Sequence, residues 1–286
     1  MPMIEAAELR RRFNGREAVK GISFTVERGE VFGFLGPNGA GKSTTINMLT
    51  GQLLPTGGSA RVAGFDCASQ SDKMQELIGV VFEQQNLYER MSGRDNLMFF
   101  AQLFGAPAKR VDEVLEMVGL SDRGKDKVKV YSNGMKQRLI IARSLINKPQ
   151  VLFLDEPTRG LDPGAARDIR SAVSDLGKSG TTVFLTTHYM EEADQLCQRV
   201  GFINEGKIVA LDTPQNLKIA HGERKVTVVL RGDDGGAGES VSLGLDDPTD
   251  AQRMSAYMTQ GKVLTVHSKE ATLEDIFIKL AGRTLL

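Results

Sequence analysis

The stretch VFGFLGPNGAGKSTTINMLT, residues 31–50, changes character twice within twenty residues. A β-forming apolar run (31–35) enters a loop punctuated by Gly36, Gly39 and Gly41, and a helical pattern follows Lys42, Ser43 and Thr44. The loop fits GxxxxGK[ST] in the strand-to-helix context that this pattern requires. Its residues Gly36, Pro37, Asn38, Gly39, Ala40 and Gly41 can curl so that backbone N–H groups converge on phosphate oxygens, with the positive end of the helix behind them. Lys42 then reaches the β- and γ-phosphates, and the Ser43 hydroxyl is placed to ligate Mg²⁺. A plain glycine turn into a helix is the alternative, but it explains neither the lysine nor the serine.

Working outward, further short apolar runs stand at 78–82 (IGVVF), 151–155 (VLFLD) and 182–186 (TVFLT), with helical patterns between them. This alternation predicts an α/β fold with a largely parallel sheet buried on both faces. From Met91 to Gly124 apolar residues recur at helical spacing, interrupted at Pro107, which predicts a helical subdomain over about 88–150. Beyond GKIVALDTPQNLK the composition shifts. RGDDGGAGES (231–240) reads as a turn or flexible loop, KVTVVLRG and GKVLTVHS as strands, and ATLEDIFIKLAG as a helix. The expected organisation is one nucleotide-binding domain over 1–220 and a small α+β extension over 221–286.

Composition narrows the function classes. Lys plus Arg and Asp plus Glu both total 36, so charge gives no reason to expect nucleic acid, and Arg10–Arg12 reads as a solvated strand face. Cys67 and Cys197 lie far apart without metal-type spacing, which suits a reducing, cytosolic setting. No run approaches the roughly 18 apolar residues of a membrane span, and the amino-terminal segment lacks the apolar centre of a signal peptide. Any membrane role is expected to come through a partner.

A second chemical motif is VLFLDEPTRGLDP (151–163), which delivers Asp155 and Glu156 to the carboxyl end of a buried strand. Asp155 fits a Mg²⁺-side carboxylate and Glu156 a general base that orients and deprotonates water. Solvated acids in a strand-end turn are the bland reading, and the neighbouring phosphate loop weighs against it.

Between the two motifs lies YSNGMKQRLIIARSLINKP (131–149), an extended entry and then a helix with Met135, Leu139, Ala142 and Ile146 on one face. YSNGMKQR resembles the LSGGQ signature of ATP-binding-cassette (ABC) ATPases. The resemblance extends to GLDP (160–163), similar to the D-loop with Asp162, to TTHYMEEAD with a switch histidine at His188, and to Phe13 at the adenine-stacking position. Asn133 and Met135 depart from the family pattern, while Ser132 and Gly134 keep it. Asn tolerates left-handed backbone angles, so Asn133 is compatible with the loop.

The resemblance implies a cassette with ATP and Mg²⁺ as cofactors. Two subunits meet head to tail, each ATP lying between one P-loop and the partner's Ser132, Asn133, Gly134 and Met135, with Asp162 at the subunit interface. Lys42, Glu156 and His188 are then the catalytic set. A base at Phe13 could gain about 1–3 kcal/mol by stacking, although a Phe there is also ordinary core. The motifs together with the terminal TLEDIFIKLAGR are similar to the ATPase subunits of drug and antibiotic exporters of the DrrA-like type. That implies a separate multi-span membrane permease and a peripheral place on the cytoplasmic side of the membrane. A soluble ABC ATPase of the translation or DNA-repair type is the other class. Its usual paired cassettes or coiled-coil insertions are not in this sequence, and a P-loop kinase would not explain the signature or His188.

The family's Q-loop follows the strand IGVVF. In this chain VFEQQNLYER (81–90) places Glu83 at the glutamine position, with Gln84 one register away. A carboxylate there can still ligate Mg²⁺ through oxygen.

Overall fold

The computed structural model describes residues 1–82, 86–222, 225–232, 236–269 and 271–282. The chain divides into two compact units at Thr213/Pro214. In the first, β1 (Ile4–Phe13) and β2 (Arg16–Val26) form a hairpin that leads into β3 (Val31–Leu35), α1 (Lys42–Leu49), β4 (Gly57–Val62), β5 (Phe65–Asp66), α2 (Ser71–Gln75) and β6 (Ile78–Val81). The helical insert follows as α3 (Gly93–Leu103), α4 (Ala108–Met117) and α5 (Asn133–Ser144). The chain then returns through β7 (Val151–Asp155), α6 (Pro163–Lys178), β8 (Thr182–Thr187), α7 (Met190–Leu196), β9 (Arg199–Asn204) and β10 (Lys207–Asp212).

An antiparallel sheet of order β2-β1-β4-β5 and a six-stranded sheet of order β10-β9-β3-β8-β7-β6 build this unit. In the larger sheet every pairing is parallel except that of edge strand β10 with β9. All residues of β3, β7 and β8 are buried, as the unbroken apolar runs require of strands covered on both faces. Between the sheets Phe24 packs with Phe32, Phe34 and Phe184, and Phe184 in turn with Phe153, with ring centroids 5.6–5.9 Å apart. Such aromatic clusters carry large apolar area into the core.

Register decides where the chemistry gathers. Leu35 pairs with Thr187, and Thr186 pairs with Asp155. The loops leaving β3, β7 and β8 therefore emerge side by side from one carboxyl edge.

The insert keeps the expected two runs around Pro107, which caps α4. The stripe expected over 135–146 ends sooner: α5 stops at Ser144, and buried Leu145 and Ile146 complete a turn beyond it. Asn133 is the first residue of α5 and has no positive φ, so its tolerance of left-handed angles is not called upon. Arg11, expected on a solvated face, instead lies over the Phe13 ring at 4.6 Å and donates to the Leu54 carbonyl.

The second unit holds α8 (Pro214–His221), β11 (Lys225–Arg231), β12 (Ala237–Gly244), α9 (Pro248–Thr259), β13 (Val263–Lys269) and α10 (Leu273–Ala281). Its antiparallel sheet has β11 in the centre, and Val226, Val228 and Leu243 form a small core with Met254 and Tyr257 of α9. The loop expected over 231–240 is a strand from Ala237 onward, because β11 supplies a ladder that the Gly- and Ser-rich sequence would not sustain alone. α10 opens with a capping box of Thr272 and Asp275 and closes on Gly282 at φ 66°.

Candidate nucleotide site

The loop after β3 is shaped by contacts that only glycine permits. A Cβ on Gly36 would lie 2.2 Å from the Ile203 carbonyl oxygen, and one on Gly41 would lie 2.8 Å from that of Ala18. Gly41, at φ 114°, precedes α1 and offers no side-chain cap, and the first turn carries no acid. The leading N–H groups at this positive helix end therefore have no capping side chain and no acid within the first turn. Lys42 is buried, and its Nζ donates to the Gly36 carbonyl at 2.6 Å and the Pro37 carbonyl at 3.3 Å. Ser43 is exposed beside it and Thr44 half-buried.

The two acids are held differently. Asp155, at the end of β7, accepts a hydrogen bond from the Thr186 hydroxyl at Oδ1. Glu156 leaves the strand at φ 51°, and its backbone N–H donates to the carbonyl and hydroxyl oxygens of Thr186. Its carboxylate is buried between two partners. Oε1 lies 3.1 Å from Lys42 Nζ, an ion pair without hydrogen-bond geometry, and Oε2 lies 2.7 Å from Nδ1 of His188. Lys42, Glu156 and His188 therefore form one contiguous chain, drawn from the loops after β3, β7 and β8.

Ser132 caps α5, its Oγ accepting from the Met135 N–H at 3.2 Å. Gly134 faces α6 so closely that a Cβ would stand 2.6 Å from that of Ala165. Asp162 caps α6 by accepting from the Ala165 N–H at 2.9 Å. Among the described residues, no hydrogen bond or ion pair joins Ser132–Met135 to the Lys42–Glu156–His188 chain within the subunit.

Residues 19–159 match the ABC transporter family. The chain is 48% identical over 268 residues to a fluoroquinolones export ATP-binding protein of Mycobacterium tuberculosis (strain CDC 1551 / Oshkosh), covering 94% of this chain and 89% of the relative. The chain belongs to the ABC transporter ATP-binding family. To the daunorubicin/doxorubicin resistance ATP-binding protein of Streptomyces peucetius this ABC subunit is 36% identical, covering 98% of this chain and 92% of that one. The fold of the cbiO1 cassette from Clostridium perfringens matches with a TM-score of 0.72 at 30% identity, over 77% of this chain and 92% of that one. The MJ0796 cassette, a dimer in a post-hydrolysis state bound to ADP and Pi, matches with a TM-score of 0.67 at 26% identity, over 74% of this chain and 98% of that one. The ABC subunit is accordingly an ATPase of the drug-exporter type.

In this ABC ATPase Phe13 is 43% exposed, with the Arg11 guanidinium over its ring. Glu83 and Gln84 lie outside the described residues. The segment just after them is pinned to the helical insert. Arg143 donates to the Asn86 carbonyl, Asn96 exchanges two hydrogen bonds with the Tyr88 backbone, and Lys136 meets Glu89 at 2.6 Å. Tyr88 and Phe99, in edge contact, are both exposed there.

Sequence reasoning missed Thr186 as the residue that orients both acids, and Glu192 with Thr158, a buried pair joined at 3.0 Å. The TTH run was a local hint of the first. The second spans 34 positions and left no local trace.

Proposed function

We propose that this subunit powers export by closing a head-to-tail homodimer on ATP and reopening it after hydrolysis. The observation that carries the mechanism is the buried chain Lys42–Glu156–His188 beside an anion-ready helix terminus. When phosphate oxygens enter the loop of Gly36–Thr44 they compete with Glu156 for Lys42. The carboxylate is then released to orient and deprotonate a water for attack on the γ-phosphate, with His188 holding it from the other side. The Ser43 hydroxyl and the Asp155 carboxylate are hard oxygen donors that fit Mg²⁺, and Thr186 fixes the orientation of that carboxylate. Glu83 is the further oxygen ligand proposed from the sequence. Bound Mg²⁺ supplies charge neutralisation on the phosphates.

The partner subunit's signature loop contributes the Ser132 hydroxyl and the N-terminal end of α5 to the same γ-phosphate. Asp162, which caps α6 by holding the N–H of the Ala165 that packs on Gly134, couples the two sites. Phe13 presents its ring to adenine, an exposure that suits stacking better than core packing. The small appended unit begins at Pro214, with α8 as its first helix.

No helix among the described residues is long and apolar enough to cross a membrane. We place the subunit peripherally on the cytoplasmic side, against a separate multi-span permease that carries a drug-like or lipid-like substrate. The export names of the relatives support that direction, and Tyr88 and Phe99 offer the permease an apolar contact.

Glu156→Gln tests the mechanism. Steady-state turnover is expected to fall by about 10² to 10⁴, while ATP binding persists and a closed dimer accumulates on size-exclusion chromatography. Wild-type turnover in this variant would overturn the assignment of the base. For export, the subunit is expected to co-purify with a multi-span membrane protein. Association with ribosomes instead would favour the soluble class.

A further inference from the structure

We propose that Glu192 is a positioning residue for hydrolysis, holding the loop that carries Glu156 against the helix that follows His188 by accepting the Thr158 hydroxyl. The inference rests on the reading of Glu156 as the base.

Glu192 is 4% exposed and Thr158 5%, and Thr158 Oγ1 donates to Glu192 Oε2 at 3.0 Å. Thr158 stands two residues after Glu156, and α7, which carries Glu192, begins two residues after His188. The same two segments are thus joined twice, by Glu156 with His188 at 2.7 Å and by Thr158 with Glu192. The second link matters because Glu156 itself is awkwardly placed. Its φ of 51° lies in the left-handed region, which a non-glycine residue keeps only when its surroundings impose it. The backbone bonds to Thr186 hold the start of that loop, and Thr158 holds its far side.

A buried acid is also a costly way to fill a helix face that already buries Met190 and Ala193. Around Glu192 stand Arg170 of α6, Glu156 of the β7 loop, the Thr187 hydroxyl of β8 and, at the end of its own helix, Cys197. Burial outweighs the opposing influence of Arg170 and the two threonines, and moves the carboxyl toward its neutral form. What the Thr158 hydroxyl meets in the structure is an acceptor oxygen, Oε2 of Glu192. Glutamine retains that oxygen and alanine removes it.

The experiment compares Glu192→Ala, Glu192→Gln, Thr158→Val and the Glu192→Ala/Thr158→Val double variant in steady-state ATPase assays, with Glu156→Gln as reference. Glu192→Ala is expected to lose about 10- to 100-fold in kcat, with the KM for ATP little changed, as misplacement of a reacting group would cause. Glu192→Gln should recover kcat, Thr158→Val should reproduce the loss, and the double variant should be no worse than Glu192→Ala. Full kcat in Thr158→Val overturns the proposal, and that arm decides even where Glu192→Ala does not fold. So does an equal loss in Glu192→Gln, which would make the charge the active feature, or a loss that falls on KM. An inert Glu156→Gln beside unimpaired Thr158→Val removes only this clamp. A hydrolysing Glu156→Gln removes the base assignment instead.

Discussion

Glu192 makes its residue-scale case through protons as well as geometry. Burial lifts its carboxyl above the ordinary value of 4.5, so the folded chain keeps this proton at pH values where the unfolded chain has released it. Its contribution to stability is complete below that ordinary value and is lost as pH rises through the folded-state pKa. Glu192→Gln, which has no proton to lose, should therefore gain in Tm over the parent as pH is raised from 4.5 toward neutrality. Differential scanning calorimetry at several pH values checks this, and a pH-independent difference would contradict it. The two cysteines point the other way in chemical terms. Burial pushes the Cys67 thiol up to about 12 and that of Cys197 further still, so neither offers a thiolate near neutral pH. Mass spectrometry after brief maleimide treatment of the native protein should find both unmodified, and both labelled once the chain is unfolded.

At the scale of elements, the packing of α5 on α6 brings the signature segment and Asp162 together. Gly134 is needed there because a Cβ would meet Ala165 at 2.6 Å. Gly134→Ala should cost about 1–3 kcal/mol by overpacking, and should weaken ATP-driven dimerisation while leaving nucleotide binding to the monomer in place. Ala165→Gly in the same chain should restore dimerisation, as seen by analytical ultracentrifugation. Failure of that rescue would mean that Gly134 matters for something other than this contact. Arg143, Asn96 and Lys136 tie the segment 86–89 to the helical insert, and two of the three stand on α5, the helix that Ser132 caps. The Lys136 ammonium also holds the Glu89 carboxyl below its usual range. Lying at the surface, this pair fixes orientation more than it adds stability.

For the whole molecule, the separation between the signature and the chain Lys42–Glu156–His188 has a direct consequence. In the proposed head-to-tail dimer each active site takes parts from two subunits, so defects in different parts should complement. Chains carrying Glu156→Gln and chains carrying Ser132→Arg are each expected to be inactive. On mixing, the heterodimer contains one site with an intact Glu156 from one chain and an intact Ser132 from the other, and turnover should reappear. Measurement of phosphate release across mixing ratios checks this, and silence at every ratio would argue against the head-to-tail arrangement. The first unit's own stability rests on the five-ring cluster between its sheets. Phe184→Ala should cost about 3–5 kcal/mol there, read from chemical denaturation.

Local pattern in the sequence was sufficient for the phosphate loop, the strand-end acids, the signature segment and the helical insert. Turn chemistry and hydrophobic period are short-range properties, and each of those features fits within a few turns of chain. β12 and α9 were not legible in that way. The first borrows its ladder from β11, and the second has no fully buried residue to give it a strong apolar stripe. The tertiary structure alone decided which polar groups meet. Once Asp155 pairs with Thr186 in register, the hydroxyl reaches one acid, the backbone of the next is held, and His188 arrives beside Glu156 across 32 positions. Such pairings depend on strand order and register, which are set by the packing of the whole sheet rather than by any one segment.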